Sequence, residues 1–248
     1  MNYSNIKVSY VDHMGNDNRI VDVARQSFAK TDSVVRTTQQ NESLINYLAK
    51  GKSSKDIKSE IKNILNCETE ENAIELFNNI SKKNVHWTPF AHTAITLQVK
   101  APIPIRTQCF KHKQGLVENE ESRRYISTTP EIFIPEFRSK PKGSIKQGSA
   151  GIHESNEYWK LQYVYQVQDA VDLYERMIED GVAPEQARFV LPQGVLVNWT
   201  WTGNLLAYAN FYNKRADHHA QKEIQDLAQM VKDIVEPLFP LSWKALTE

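Results

Sequence analysis

A chain of 248 residues spans about 1.7 average domain lengths, and its 40% hydrophobic and 24% charged residues are ordinary globular usage. At this length roughly 70–75% of the unfolded surface is buried on folding, so neither a metal nor a disulfide staple is needed. Thirty Lys and Arg balance thirty Asp and Glu, which argues against a dedicated nucleic-acid binder, whose phosphate contacts demand a basic surface.

Ile6, Val8 and Tyr10 alternate with Lys7 and Ser9 and read as an opening strand. Arg19–Ala29 carries Ile20, Val23, Ala24 and Ser27 at helical spacing, and a second helix is expected over Glu42–Lys50. The Lys- and Glu-rich segment 51–83 holds two apolar stripes, Ile57, Ile61, Ile64, Leu65 and then Ala73, Ile74, Phe77, Ile80. It is expected to be a helical hairpin inserted into a single domain spanning residues 1–248. His92–Lys100 alternates as the clearest strand, ended by Pro102, with Pro104 at the first turn of a helix running to about His112. A turn at Gly115 leads into the polar run Glu118–Tyr125, expected as a solvated loop.

Arg138–Ser155, rich in Gly, Ser and basic residues, is expected to be a mobile loop. Glu157–Asp180 reads as a long helix capped by Gly181. Pro184 opens a short helix that Pro192 stops, and Val195–Thr202 suits a strand. Helices are expected over Asn204–Lys214 and Asp217–Glu236, with Pro237 ending the last. Strict βαβ alternation is missing, so the expected class is α+β: one helix-rich domain with a small, mostly antiparallel sheet.

No stretch approaches the roughly 18 apolar residues of a membrane span. Met1–Asn5 lacks the order of a secretory signal, and two cysteines, Cys67 and Cys109, make no disulfide framework. A cytoplasmic protein is expected. Of seven histidines, only His112 lies one helical turn from a cysteine, Cys109, without a second ligand pair, so no metal site is expected. Neither a G-x-G-x-x-G nor a G-x-x-x-x-G-K-[ST] occurs, so any nucleotide cofactor is held without those cradles.

Three clusters look chemical. His86–His92 has as its plain reading a turn with an aromatic plug. Arg106–Lys113 with Glu118–Tyr125 reads plainly as cations at a helix C-terminus and a solvated acid–base loop, yet such donors beside carboxylates also suit an anionic ligand with amide edges. Asn204, Asn210 and the group Arg215–Glu223 surround two helices, the plain reading being an exposed helix start.

Together these blocks resemble the flavin-dependent thymidylate synthases, the ThyX family. Lys111-His112-Lys113 stands where that family has Arg-His-Arg, and Asn119-Glu120-Glu121-Ser122-Arg123-Arg124-Tyr125 follows its continuation. His86-x-Thr88-Pro89-Phe90-x-His92, Ala187–Pro192, Trp201-Thr202-x-Asn204 and Arg215-Ala216-Asp217-x-His219-Ala220-Gln221-x-Glu223 resemble further family blocks. The chain departs from the pattern where lysines replace both arginines and eight residues, not seven, separate Lys113 from Ser122. Ala91, Arg123 and Leu206 also stand where glutamate, glycine and a flavin-contacting arginine are common.

The resemblance implies a methyltransferase making dTMP from dUMP, with methylenetetrahydrofolate as carbon donor, reduced FAD as hydride source and NADPH regenerating it. It implies a dUMP site of Gln108, Lys111, Glu120, Glu121, Ser122, Arg123, Arg124, Arg188 and Arg215, with Arg215 catalytic. The implied FAD site comprises Ser27, His86, Thr88, Lys111, His112, Lys113, Glu120, Asn204, Leu206, Asn210 and His219. A homotetramer with shared active sites is implied too, with neither nucleic acid nor membrane as partner. Cys109 lies inside the motif, but flavin hydride delivery makes an enzyme nucleophile unnecessary. Two rivals are a flavoprotein oxidoreductase without methyl transfer and a nucleic-acid-binding module built on Lys111, Lys113, Arg123, Arg124 and the basic loop.

Overall fold

The computed structural model describes residues 2–29, 36–81, 85–142 and 148–248. In chain order, β1 (Asn2–Tyr3) and β2 (Lys7–Met14) precede α1 (Asp17–Gln26), which starts earlier than its apolar stripe because Asn16 accepts from the Arg19 N–H at 3.0 Å. A capping box of Thr37 and Gln40 likewise starts α2 (Thr38–Lys50) four residues before the expected Glu42. The expected hairpin region holds α3 (Ser54–Leu65) and α4 (Glu70–Ser81), packed on each other, while residues 82–84 lie outside those described. The expected turn at His86–His92 contains α5 (Trp87–Ala91), whose Phe90 is indeed a fully buried plug.

β3 (Ala94–Pro102) buries Ile95, Leu97, Val99 and Ala101 on alternate positions. α6 (Ile103–Cys109) is shorter than expected, leaving Lys111–Lys113 beyond its end. The polar run is not a loop at its start: β4 (Leu116–Glu120) is an edge strand. Alternation decides it, with Leu116 buried and Glu118 and Glu120 half-buried between exposed Val117 and Asn119. Basic partners for both carboxylates make that inward face tolerable.

β5 (Glu131–Ile132) follows, and the flanks of the expected mobile loop are pinned, with Arg138 and Ile152 forming an antiparallel bridge. Residues 143–147 of that loop lie outside those described. α7 (Asn156–Glu179) ends as anticipated: Gly181 takes a φ of +86°, its N–H donates to Ile178 O, and the Val182 N–H donates to Met177 O. α8 (Pro184–Ala187) runs into a 3-10 turn, Arg188–Val190, then β6 (Leu196–Gly203) and α9 (Leu205–Arg215).

α10 (Lys222–Leu238) starts later than the expected Asp217, since the Asp217 carboxylate takes the His219 N–H in a turn instead. Pro237 sits inside its last turn, and a further helix, α11 (Pro240–Thr247), follows. Asp17 makes α11 possible by accepting from the N–H groups of Leu241 and Ser242 and the Ser242 hydroxyl, at 2.5–3.0 Å.

The chain divides into two compact units. The first comprises Met1–Asp12, Thr96–Thr202 and Phe211–Ile234; the second, His13–Ile95, Gly203–Asn210 and Val235–Glu248. The first unit is built on a four-stranded, mostly antiparallel sheet of order β2-β3-β6-β4, with β1 and β5 as a separate parallel pair. Trp199, Trp201 and Phe211 are fully buried there, each the kind of side chain whose burial contributes about 1.5–3 kcal/mol. In the second unit α1, α2 and α11 pack together, and α5 packs on α1. The class is α+β, as expected. Among the described residues no helix is long and apolar enough to cross a membrane.

Candidate active site

α6, β4 and the 3-10 turn of the first unit enclose a cavity of about 280 Å³. Its polar wall is Arg106, Glu120, Glu121, Ser122, Arg123 and Arg188; Ile103, Leu191, Val195 and Val197 line the rest. Ile105 and Cys109 anchor α6 in the core one turn apart, so Arg106 emerges on a different face. The Arg106 Nε sits 3.3 Å from Glu120 Oε1, and the guanidinium lies 5.3 Å from the Phe110 ring centre. The contact is an ion pair without hydrogen-bond alignment, so Nε is buried yet lacks a hydrogen-bond acceptor among the described residues. Arg123 is similar: Nη1 donates to the Thr128 carbonyl at 2.7 Å, while its buried Nε has no acceptor among the described residues.

Burial pushes the Glu120 carboxyl above its ordinary range; Arg106 opposes that shift, and Glu121 and Glu118 add to it. Glu121 is spoken for by β6, since its two oxygens accept from the Asn198 backbone N–H at 3.1 Å and the side-chain amide at 3.0 Å. That pairing fastens the Glu121–Arg124 turn to the sheet, and Ser122 Oγ closes it by accepting from the Arg124 N–H at 3.3 Å.

Arg215, the last residue of α9, is held by neutral acceptors. Its Nε donates to His112 Nε2 at 2.9 Å, and its Nη atoms reach the Gln108 side-chain and backbone oxygens at 3.4 and 3.3 Å. Gln108 is itself oriented by a 2.8 Å bond to Gln221. Burial, then the Arg215 and Lys214 charges, bring the His112 pKa down to about 4. The ring is therefore neutral near pH 7, with its Nε2 lone pair toward Arg215 and its proton on Nδ1. Edge-on aromatic contacts fix the imidazole, from His112 to Phe211 (5.1 Å) and from Phe211 to Trp201 (5.0 Å). Cys109 is fully buried and its thiol is pushed far up by desolvation, so it stays protonated and out of reach of a nucleophile's role.

The remaining residues expected to bind dUMP spread around these two centres. Arg188 lines the cavity from the 3-10 turn; Lys111 is exposed beyond α6; Arg124 pairs with Glu185 at 3.2 Å above the Tyr125 ring. Of the residues expected at the flavin, Lys111, His112, Lys113, Glu120 and His219 belong to the first unit, where Lys113 pairs with Glu118 and His219 with Asp217. Ser27, His86, Thr88, Asn204, Leu206 and Asn210 belong to the second. There His86 stacks on Tyr47 at 5.4 Å, Asn204 caps α9 by accepting from the Ala207 N–H, and Ser27, Thr88 and Asn210 are exposed.

Sequence reasoning counted Arg106 in a basic run without giving it a role, and passed over Asn198 and Tyr47. Arg106 was within reach: alternation in β4 puts Glu118 and Glu120 on one face, which requires cations opposite. The pairing of Asn198 with Glu121 across 77 residues of chain left no local trace. Asp217, His218 and His219 bring three ligand-type atoms within 4.8 Å of one another, all exposed.

The family model described as thymidylate synthase complementing protein, Thy1, matches residues 9–241. The flavin-dependent thymidylate synthase of Thermosipho melanesiensis is 30% identical over 237 residues, 95% of this chain and 87% of that protein. Its counterpart in Thermus thermophilus is 31% identical over 242 residues, 97% of this chain and 75% of that protein. Among solved structures, the UMP/dUMP methylase PolB from Streptomyces cacaoi, bound with 5-Br dUMP, superposes with a TM-score of 0.76 at 24% identity, over 99% of this chain and 96% of that one. At that identity the likeness speaks for the fold.

Proposed function

Because the chain belongs to the Thy1 family of flavin-dependent thymidylate synthases, we propose that it methylates dUMP at C5 to give dTMP. Methylenetetrahydrofolate donates the carbon, and FAD, reduced by NADPH, is the cofactor. The observation that carries the reading is the cavity whose wall brings Arg106, Arg123 and Arg188 together with Glu120 and Ser122. Guanidinium forks bind a phosphate, while a carboxylate and a hydroxyl pair with ring N–H, carbonyl or sugar hydroxyl groups.

Arg215 is the catalytic residue of this reading. Its always-charged guanidinium, aimed by His112 and Gln108, faces the uracil N3/O4 edge and stabilises the negative charge that grows there as C5 becomes nucleophilic. The Cys109 thiol does not add to the ring, since burial keeps it protonated at neutral pH.

Of the flavin residues, those of the first unit suit the group chemically: exposed Lys111 and the Lys113 ammonium balance a diphosphate, and exposed His219 offers a ring nitrogen for a hydrogen bond. His112 and Asn204 are engaged within the chain, which assigns them to shaping the site more than to touching the flavin. When bound, the flavin supplies the hydride; the protein supplies position and charge. A homotetramer with shared active sites and a cytoplasmic location complete the proposal.

The test is anaerobic incubation with FAD, NADPH, methylenetetrahydrofolate and 5-tritiated dUMP. Formation of dTMP with tritium release supports the reading, because only substitution at C5 displaces that hydrogen. NADPH oxidation without tritium release would replace it with the oxidoreductase reading.

A further inference from the structure

We propose that Arg106 is a positioning residue for nucleotide binding: it keeps Glu120 ionised and turned into the cavity, so that Glu120 meets the substrate as a hydrogen-bond acceptor. This rests on the reading that the cavity takes dUMP. The resemblance to the family assigns Arg106 no role.

The geometry is specific. Arg106 comes from α6 and Glu120 from the edge strand β4, and both are about a quarter exposed, at 26% and 24% of their side chains. Glu120 sits among charged neighbours of both signs. Glu118 and Glu121 adjoin it on its own segment, Arg123 and Arg188 line the same cavity, and Arg106 is the cation in ion-pair contact with it. Desolvation and the two flanking carboxylates favour the protonated form, in which Glu120 would donate where an acceptor is required. The Arg106 charge opposes both and favours the ionised form. The Phe110 ring on one side and the core anchors Ile105 and Cys109 on the same helix keep its guanidinium from swinging to solvent.

The experiment measures dUMP affinity of the FAD-loaded protein by calorimetry from pH 5.5 to 8, for the wild type, Arg106→Gln, Arg106→Lys and Glu120→Gln. The dUMP phosphate titrates near pH 6 in every variant, so comparison among them cancels it. In Arg106→Gln the acid-side loss of affinity is expected to move up by about one pH unit, the low end of what an adjacent opposite charge does to a carboxylate. Affinity then falls by about threefold around pH 6, with tenfold the ceiling that a one-unit shift allows, and recovers toward the wild-type value at pH 8. Arg106→Lys keeps the charge and restores the wild-type profile, and Glu120→Gln abolishes the difference that Arg106→Gln makes.

A uniform loss of affinity in Arg106→Gln at every pH, or no change at all, overturns the proposal. So does a shift that survives in the double variant with Glu120→Gln. If Arg106→Gln does not fold, Arg106→Lys and Glu120→Gln still decide, since equal acid limbs in Glu120→Gln and wild type leave Arg106 nothing to act through. Failure of the wild type itself to bind dUMP would instead refute the functional reading beneath it.

Discussion

The two arginine-bearing regions of the first unit are held by different kinds of partner. In the cavity wall Arg106 faces the carboxylate of Glu120, whereas Arg215 is gripped by a neutral imidazole and a glutamine. A guanidinium against a carboxylate spends its field on that neighbour and serves to set its ionisation. One aimed by neutral acceptors keeps its field for whatever arrives, as charge developing in a transition state requires. On the proposed reading, partner chemistry therefore separates a residue that tunes a site from one that stabilises a reaction, although the two side chains are identical.

That contrast can be broken experimentally, most sharply at Arg215. Arg215→Ala is expected to lower dTMP formation by about 10²–10³-fold, the usual loss for an electrostatic stabiliser, with the unfolding temperature little changed. Normal turnover in that variant would erase the distinction between the two regions. In the cavity, Arg188→Ala is expected to raise the dUMP Kd by about tenfold or more, as for a charge-assisted hydrogen bond, with a smaller effect on turnover at saturation. A fall in saturated turnover with unchanged Kd would place Arg188 in the chemistry.

His112→Ala removes the acceptor for Arg215 without touching its charge, so turnover should fall about tenfold, as when a catalytic group loses its support. The same variant tests linkage. His112 has a folded pKa of about 4, below the 6.5 of an unfolded histidine. The unfolded state takes up the proton first, so the stabilisation is full above pH 6.5 and disappears as pH falls toward 4. Allowing for a half-exposed ring, urea unfolding should show about 1–2 kcal/mol lost by the wild type across that window and not by His112→Ala. Equal slopes would mean that the imidazole titrates alike in the folded and unfolded states. The smallest effect belongs to Cys109→Ala, expected to leave turnover within about twofold and to cost about 1 kcal/mol of stability for the space it empties. Complete loss of turnover with dUMP still bound would restore the thiol to the mechanism.

Much of this was legible in the residues. The alternation of Ile95, Leu97 and Val99, the cap at Gly181 and the long face of α7 are local patterns, and the elements stand where those patterns put them. The elements that differ were governed from afar. α11 is capped by Asp17 from the opposite end of the chain, and β4 carries carboxylates inward only because Arg106 and Lys113 meet them. At the site, the motif pointed to Arg215, His112, Glu120 and Arg188. It did not say that His112 is Arg215's acceptor, or that Glu121 belongs to Asn198.

Residue order alone was enough for membership of the family, for the α+β class and for the roster of charged groups, because periodicity, capping and motif spacing are written within a few turns or a few strands. Which charge faces which partner had to wait for the folded chain. An ionisable side chain takes its protonation state and its direction from burial and from neighbours a hundred residues away, as Arg215 and His112 do across 103 positions.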